Sequence, residues 1–548
     1  MSSCKIILGI AAAALLASCV NIDDELGASM VPVSSKYKTV TPQASPIAVK
    51  QLMADSLSGF SSNRITIGAV RQNADFGLTT RASVVSIVPL FGKGHDMGKN
   101  RKFKSMHFAV ALDSVSVEDR AELGILQNVG VYEVNRPVDF TKDGNCNAIF
   151  PHGTTRISDG VPVINGSDSL SFWFTKEYGS KYLDADKYLD SFDAWSEHFP
   201  GIYLDVPAPV GQGGRINLFE LQLGYDSSYG YLTGNYASLC YSAEYDGELK
   251  DTAVFFYFAA TGLYDLDSLA KNSGTGSFPQ YALNLTGHET AALAGDAAAT
   301  VLVEGGGGLK PVISAADIRK AIIDTIDARE GAGAHKKAII NRASLNFHYI
   351  NEFTGSGDYE LLYKLPEILS PTCRLSSGDN VSFMGLTDSS SSEENQGERN
   401  LSLLSFNPDI TYHAQELINM EDDNSALVAG NYDIWLLIMH NDIVTTTSSG
   451  NSDLSDYYQY LAYQSYMSNM YGGYGGYGYG GYGYSSYGYS NYYNYAMLAQ
   501  MYGQSTTTSS SQTNLDRDRY YCCRLYGPTA ATASLRPTLS FTYSIPKG

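Results

Sequence analysis

From Met106 to the C-terminus, short runs of Val, Ile, Phe, Tyr and Thr alternate with clusters of Gly, Asn, Asp and Ser. This punctuation leaves little room for long helices and constrains the fold more than any other feature. Met106 to Leu112, Gly130 to Val134, Ile216 to Leu223, Ala253 to Ala259, Ala343 to Tyr349 and Tyr432 to Ile438 read as strands. Several alternate apolar and polar residues, as a strand with one buried face must. A chain of 548 residues with this pattern exceeds what one core accommodates. The fold class expected is mainly β: tandem antiparallel β-sandwich-like domains with one or two short helices and a disordered Tyr/Gly-rich insertion. The first β-rich domain is expected over 46–262 and the second over 263–450. The insertion is expected over 451–515, with strands in 516–548 completing the second domain. Met106 to Phe140 and Ile340 to Leu369 share a strand–loop–strand plan, the second ending in Tyr359 to Tyr363.

One helix is credible from its signals. Ser314 followed by Asp317 forms an N-cap with an acidic first turn, and Ile318, Ala321, Ile322 and Ile326 supply an apolar stripe. A weaker candidate lies between Lys187 and His198. The insertion is marked by composition. Tyr457 to Tyr502 holds 17 of the 41 tyrosines among Gly, Ser and Asn, and no charge occurs between Asp456 and Asp516. So much Gly with so few aliphatics does not offset the entropy of ordering.

The N-terminus carries an address. An apolar run from Ile6 ends in Leu16-Ala17-Ser18-Cys19, too short to span a bilayer. Residues 1–18 read as a lipoprotein signal peptide and Cys19 as the lipidated residue, with several acyl chains making the anchor stable. Residues 19–45 read as an acidic tether. Asp23-Asp24-Glu25 just behind the cysteine reads as a surface-export signal, against the alternative of a solvated linker facing the periplasm. The expected localisation is the cell outer membrane, facing the exterior.

A formal charge of −20 disfavours phosphate backbones and anionic leaflets, so nucleic acid is not an expected partner. With Cys4 removed and Cys19 lipidated, Cys146, Cys240, Cys373, Cys522 and Cys523 remain, an odd number without a C-x-x-C pair. Their pairing stays open between buried free thiols and a distant bridge.

The sequence carries almost none of the known catalytic constellations. There is no G-x-S-x-G elbow and no Walker-type loop. Gly305 to Gly308 runs into Leu309-Lys310-Pro311, which reads as a turn. His288-Glu289 lacks the second histidine of a zinc helix, with Ala292 in its place. Asp184, Asp186 and Asp190 resemble a calcium loop but lack its central glycine and closing glutamate, so a solvated acidic face is the default. Trp173, Trp195 and Trp435 could line a sugar platform, although most tryptophans pack in cores. No catalytic residue, cofactor or metal site is expected.

Short motifs spread along the body carry a family resemblance. Leu26-Gly27 and Val31-Pro32 follow the lipidation motif. Asp55-Ser56 precedes Ile67-Gly68 and Asp75-Phe76-Gly77, and Asp113-Ser114-Val115 precedes Val131-Tyr132-Glu133-Val134. Phe199-Pro200-Gly201-Ile202-Tyr203, Glu304 to Gly308, Ile340-Asn341-Arg342-Ala343-Ser344-Leu345, Arg536-Pro537-Thr538-Leu539 and Tyr543 follow in order. Over about residues 19–545 the chain resembles Bacteroidota outer-membrane lipoproteins of the domain of unknown function 4270 family. The Tyr/Gly segment departs from that pattern as an insertion. The resemblance implies an envelope lipoprotein without an established activity, and it carries over no catalytic residue. Gly77, Gly201 and Gly306 are expected in turns or bulges, and Pro537 at the entry to a terminal edge strand.

The function expected is a non-catalytic, surface-exposed outer-membrane lipoprotein, a binding or scaffolding subunit beside an envelope protein partner. The alternatives are a glycan-binding lipoprotein and a hydrolase whose site is assembled from distant residues.

Overall fold

The computed structural model describes residues 36–547 except 62–63, 73–74, 118–119, 227–228, 259–262, 273–279, 351–364, 378–379, 391–395 and 448–506. Cys19, Asp23, Asp24, Glu25, Tyr359 to Tyr363 and the Tyr-rich stretch therefore lie outside the described residues. Antiparallel strands dominate, and the molecule is mainly β.

Two apolar cores organise the chain. In the first, a nine-stranded sheet meets a five-stranded one. The central strands of the larger sheet include Ile202–Asp205, Leu78–Val85, Arg64–Arg71 and Gly213–Glu220. The smaller runs in the order Leu170–Trp173, Lys99–Val110, Tyr236–Tyr245, Glu248–Phe258, Ile87–Pro89. Ile65, Val131, Ile202 and Phe219 pack with Phe108, Val110, Leu239 and Phe256. Helices Lys176–Lys181 and Phe192–His198 close this core with Tyr178 and Trp195. The Trp195 indole N–H donates to the Ile87 carbonyl at 3.0 Å, which allows complete burial.

The second core joins a six-stranded sheet, centred on Thr538–Pro546 and Ile339–His348, to a seven-stranded one centred on Leu309–Ile313, Ile434–Thr447 and Ile368–Ser377. The expected helix is present over Ala315–Glu330. The Ser314 hydroxyl accepts from the Asp317 N–H at 3.3 Å, and Ile318, Ile322 and Ile326 are fully buried. Each buried Ile contributes about 1.5–3 kcal/mol, so packing and not intrinsic propensity holds this helix. The weaker candidate shortens to Phe192–His198, preceded by a 3-10 turn over Tyr182–Tyr188.

Three expectations differ from what is observed. The boundary at 262/263 is crossed. Ala282–His288 pairs with Leu78–Val85 in the first sheet, and Lys50–Met53 pairs with Leu309–Ile313 in the second. Alternation reports which face of a strand is buried, but not which strand lies beside it. Thr507–Leu515, assigned to the insertion, is a strand on Ile434–Thr447 with nine register pairs. Backbone donors and acceptors suffice for such pairing, so a lack of aliphatic residues does not prevent it. Thr538–Pro546 is also not an edge strand, since Tyr37–Val40 lies on one side and Ile339–His348 on the other. Pro537 precedes it, where its missing N–H costs nothing and its carbonyl accepts from the Ile47 N–H. Gly77, Gly201 and Gly306 all adopt positive φ.

Candidate functional site

Charged residues are concentrated where the two cores meet. The segment from Asp516 to Cys522 passes against the first sheet. Asn284 donates to Asp518 at 3.1 Å, the Ser116 hydroxyl donates to the Tyr520 carbonyl at 3.2 Å, and Val70, Ile216 and Leu218 pack on Tyr520. Beside it lies the turn joining Thr300–Glu304 to Leu309–Ile313. Four glycines are needed there because other chain segments touch it closely. Gly306 has φ +57°, and a Cβ on Gly307 would lie 1.8 Å from Asn147 Oδ1.

Lys310 fills the hollow of this turn. Its side chain is buried, and its three N–H groups donate to the carbonyls of Glu304, Gly306 and Gly308 at 2.6, 2.9 and 3.0 Å. An ammonium has three donors, so all are used. Burial pushes its pKa down to about 7, with Glu304 opposing that shift. The Glu304 carboxylate accepts from the Thr290 hydroxyl at 2.5 Å and the Leu309 N–H at 3.0 Å, and it faces His288 Nδ1 at 3.3 Å. Burial pushes Glu304 up, but His288 and these donors outweigh it and hold the carboxyl below its ordinary value. Burial also pulls His288 down. Arg81 is 1% exposed and donates to the Thr80 carbonyl at 3.0 Å. Asp516, also buried, accepts from Arg519 at 2.6 Å and from the Tyr521 hydroxyl at 2.7 Å.

A carboxylate, an imidazole and an amine of lowered pKa form a set suited to proton transfer. Here they are closed to solvent. The side chains of His288 and Glu304 are each 1% exposed, so no substrate reaches them. Arg81 Nε and Nη2 and His288 Nε2 have no partner among the described residues, which leaves sites for ordered water in an otherwise satisfied network. The cavity beside Phe60, Val84, Phe140 and Leu283 has room for about one water molecule, at ≈ 10 Å³.

The residues singled out in the sequence fall elsewhere or do other work. Gly305 to Gly308 is a turn, as expected. His288 joins the buried network, while Glu289 accepts from the Leu78 N–H at 2.9 Å. Asp184, Asp186 and Asp190 face Lys187, Arg101 and Lys93 respectively, so each carboxylate of the calcium-like run has a cation partner. Among the described residues no cluster of three or more His, Cys, Asp or Glu could hold a metal ion. Cys146, Cys240, Cys373, Cys522 and Cys523 are free thiols. Trp195 and Trp435 are 0% and 6% exposed, which removes them as platform residues, whereas Trp173 is 50% exposed. Arg81, Glu304 and Lys310 were not singled out as a group. The available signals were a charge inside the strand Leu78–Val85 and a lysine set between apolar runs.

Comparison with known proteins finds no matching family model, curated protein or solved structure.

Proposed function

We propose that this protein is a lipid-anchored outer-membrane lipoprotein that faces the exterior and serves as a non-catalytic binding or scaffolding subunit of an envelope protein assembly. The observation that carries this reading is the buried junction. Lys310 is spent on three backbone carbonyls, Glu304 on Thr290, Leu309 and His288, and Asp516 on Arg519 and Tyr521, all enclosed where the two β cores meet. Such a body suits a spacer or docking platform. The Leu16-Ala17-Ser18-Cys19 motif, the Asp23-Asp24-Glu25 run and the resemblance to the 4270 family support the anchor and its outward orientation. A lipid on Cys19 would lie at most about 60 Å of extended chain from Lys36, the first described residue. The acidic balance favours protein surfaces over nucleic acid as partners.

Two measurements test this. Protease treatment of intact cells should remove the protein, and Cys19→Ala should release it from the membrane fraction. A pull-down from detergent-solubilised membranes should recover an envelope protein in stoichiometric amount. Recovery of none would overturn the scaffolding role, and protection in intact cells would overturn the outward orientation.

A further inference from the structure

The five-stranded sheet buries one face and, among the described residues, leaves much of the other exposed to solvent. Phe108, Phe172, Leu239 and Phe256 point into the first core. On the opposite face, the register aligns Trp173 with His107, His107 with Ser238, and Ser238 with Phe255 across four strands. The row on one side holds Ser171, Ala109 and Tyr236, and the row on the other holds Ser105, Cys240 and Ala253. Rows stand about 7 Å apart and strands about 4.8 Å apart. We infer that this open face, centred on Trp173 and His107, is a binding site for a neutral saccharide.

Four observations carry the inference. Trp173 is half exposed, and its ring lies 4.4 Å from that of His107 at 41°. Tyr236 and Phe255, on the next two strands, form a second aromatic pair 5.7 Å apart that is half-buried and packs against the first core, so it borders the site. Aromatic faces take the C–H edges of sugar rings, while hydroxyls need donors and acceptors nearby. Those are present: His107 Nε2 bonds the Ser171 hydroxyl at 2.8 Å, whereas the Trp173 indole N–H and the hydroxyls of Ser105 and Ser238 have no partner among the described residues. Finally, none of the ten residues in these rows carries a formal charge, although the chain as a whole stands at −20. Burial pulls His107 below its ordinary pKa, so it too is neutral at pH 7. A charge-free patch, bordered on the same face by Lys102 and the Lys104–Asp251 ion pair, fits a neutral ligand and not a basic partner. The inference is independent of the scaffolding reading, which a negative sugar result leaves intact.

Trp173 supplies its own reporter, because Trp195 and Trp435 are shielded. Iodide should quench one tryptophan component, and Trp173→Phe should abolish that component. Native electrophoresis of the full-length protein through gels containing soluble starch, dextran, xylan or mannan should show retardation in at least one. Trp173→Ala and His107→Ala should each weaken retardation at least tenfold at unchanged Tm. Oligosaccharides of the retarding polymer should protect Trp173 from iodide. Retardation by none of the four polymers, or retardation indifferent to Trp173→Ala, overturns the assignment. Protection that rises with protein concentration in the absence of sugar would make the face an interface between copies, and would overturn it equally.

Discussion

The junction around Lys310 and the open face around Trp173 both place polar groups on β-sheet surfaces, with opposite consequences. In the junction the charges of Arg81, Glu304 and Lys310 have been taken out of water, a change that calls for partners or enclosed water. Lys310 uses all three donors, and Glu304 accepts from two donors and faces a third group. Lys310 and Glu304 thus serve the structure, while Arg81 Nε and Nη2 and His288 Nε2 are enclosed positions suited to ordered water. On the open face the side chains are neutral and several retain unused hydrogen-bonding capacity, because water satisfies them until something replaces it. On the proposed reading, unused hydrogen-bonding capacity at a surface, and not reactive residue types, marks the binding face.

Perturbing the junction should give the largest effect. Lys310→Met keeps the volume but strips the donor from three buried carbonyls, and unfolding in urea should show a loss of about 3 kcal/mol or more. A loss below about 1 kcal/mol would mean that the turn is held by its glycines alone.

The pH dependence of stability comes next, with an effect of order 1–2 kcal/mol between pH 8 and pH 5. Lys310 gives up its proton near 7 in the folded protein and near 10.5 when unfolded. The unfolded chain binds more protons between those values, so stability rises with pH through them and is least below about 7. His288 is lowered in the folded protein, and acid charges it first in the unfolded chain. Glu304 and Asp516 are lowered too, and their contribution is lost as pH falls through their folded values. Burial raises Asp518, which opposes the others. The Tm should therefore fall from pH 8 to pH 5. A flat profile would show that the junction does not couple to protons.

Gly307→Ala follows, at about 1–3 kcal/mol, because its Cβ must displace the Asn147 side chain. Removing that side chain as well, in Asn147→Ala, should recover part of the loss. Additive losses would place the strain elsewhere. The smallest effect belongs to the open face. Trp173→Ala should shift stability by only about 0.5 kcal/mol, as exposed substitutions do. A cost above about 2 kcal/mol would show Trp173 to be a packing residue and erase the contrast between the two regions.

Much of the local structure was legible in the sequence. Ser314, Asp317 and the stripe at Ile318, Ile322 and Ile326 specify a helix through neighbours three and four residues apart, and that information is contiguous in the chain. The strand Gly130–Val134 is legible at its observed bounds for a similar reason, since two-residue alternation is local. Thr507–Leu515 was not legible, because its strand character comes from the neighbour it pairs with and not from apolar side chains of its own.

The sequence by itself determined a mainly β chain, the helix behind Ser314, the turn at Gly305 to Gly308 and the surplus of acid. The tertiary structure decided that Arg81, His288, Glu304, Lys310 and Asp516 meet in one buried network, and that of three tryptophans only Trp173 faces solvent. Those outcomes depend on which strands become neighbours. Pairing is set by closing long loops around shared cores, and the entropy and packing terms that select it involve residues hundreds of positions apart.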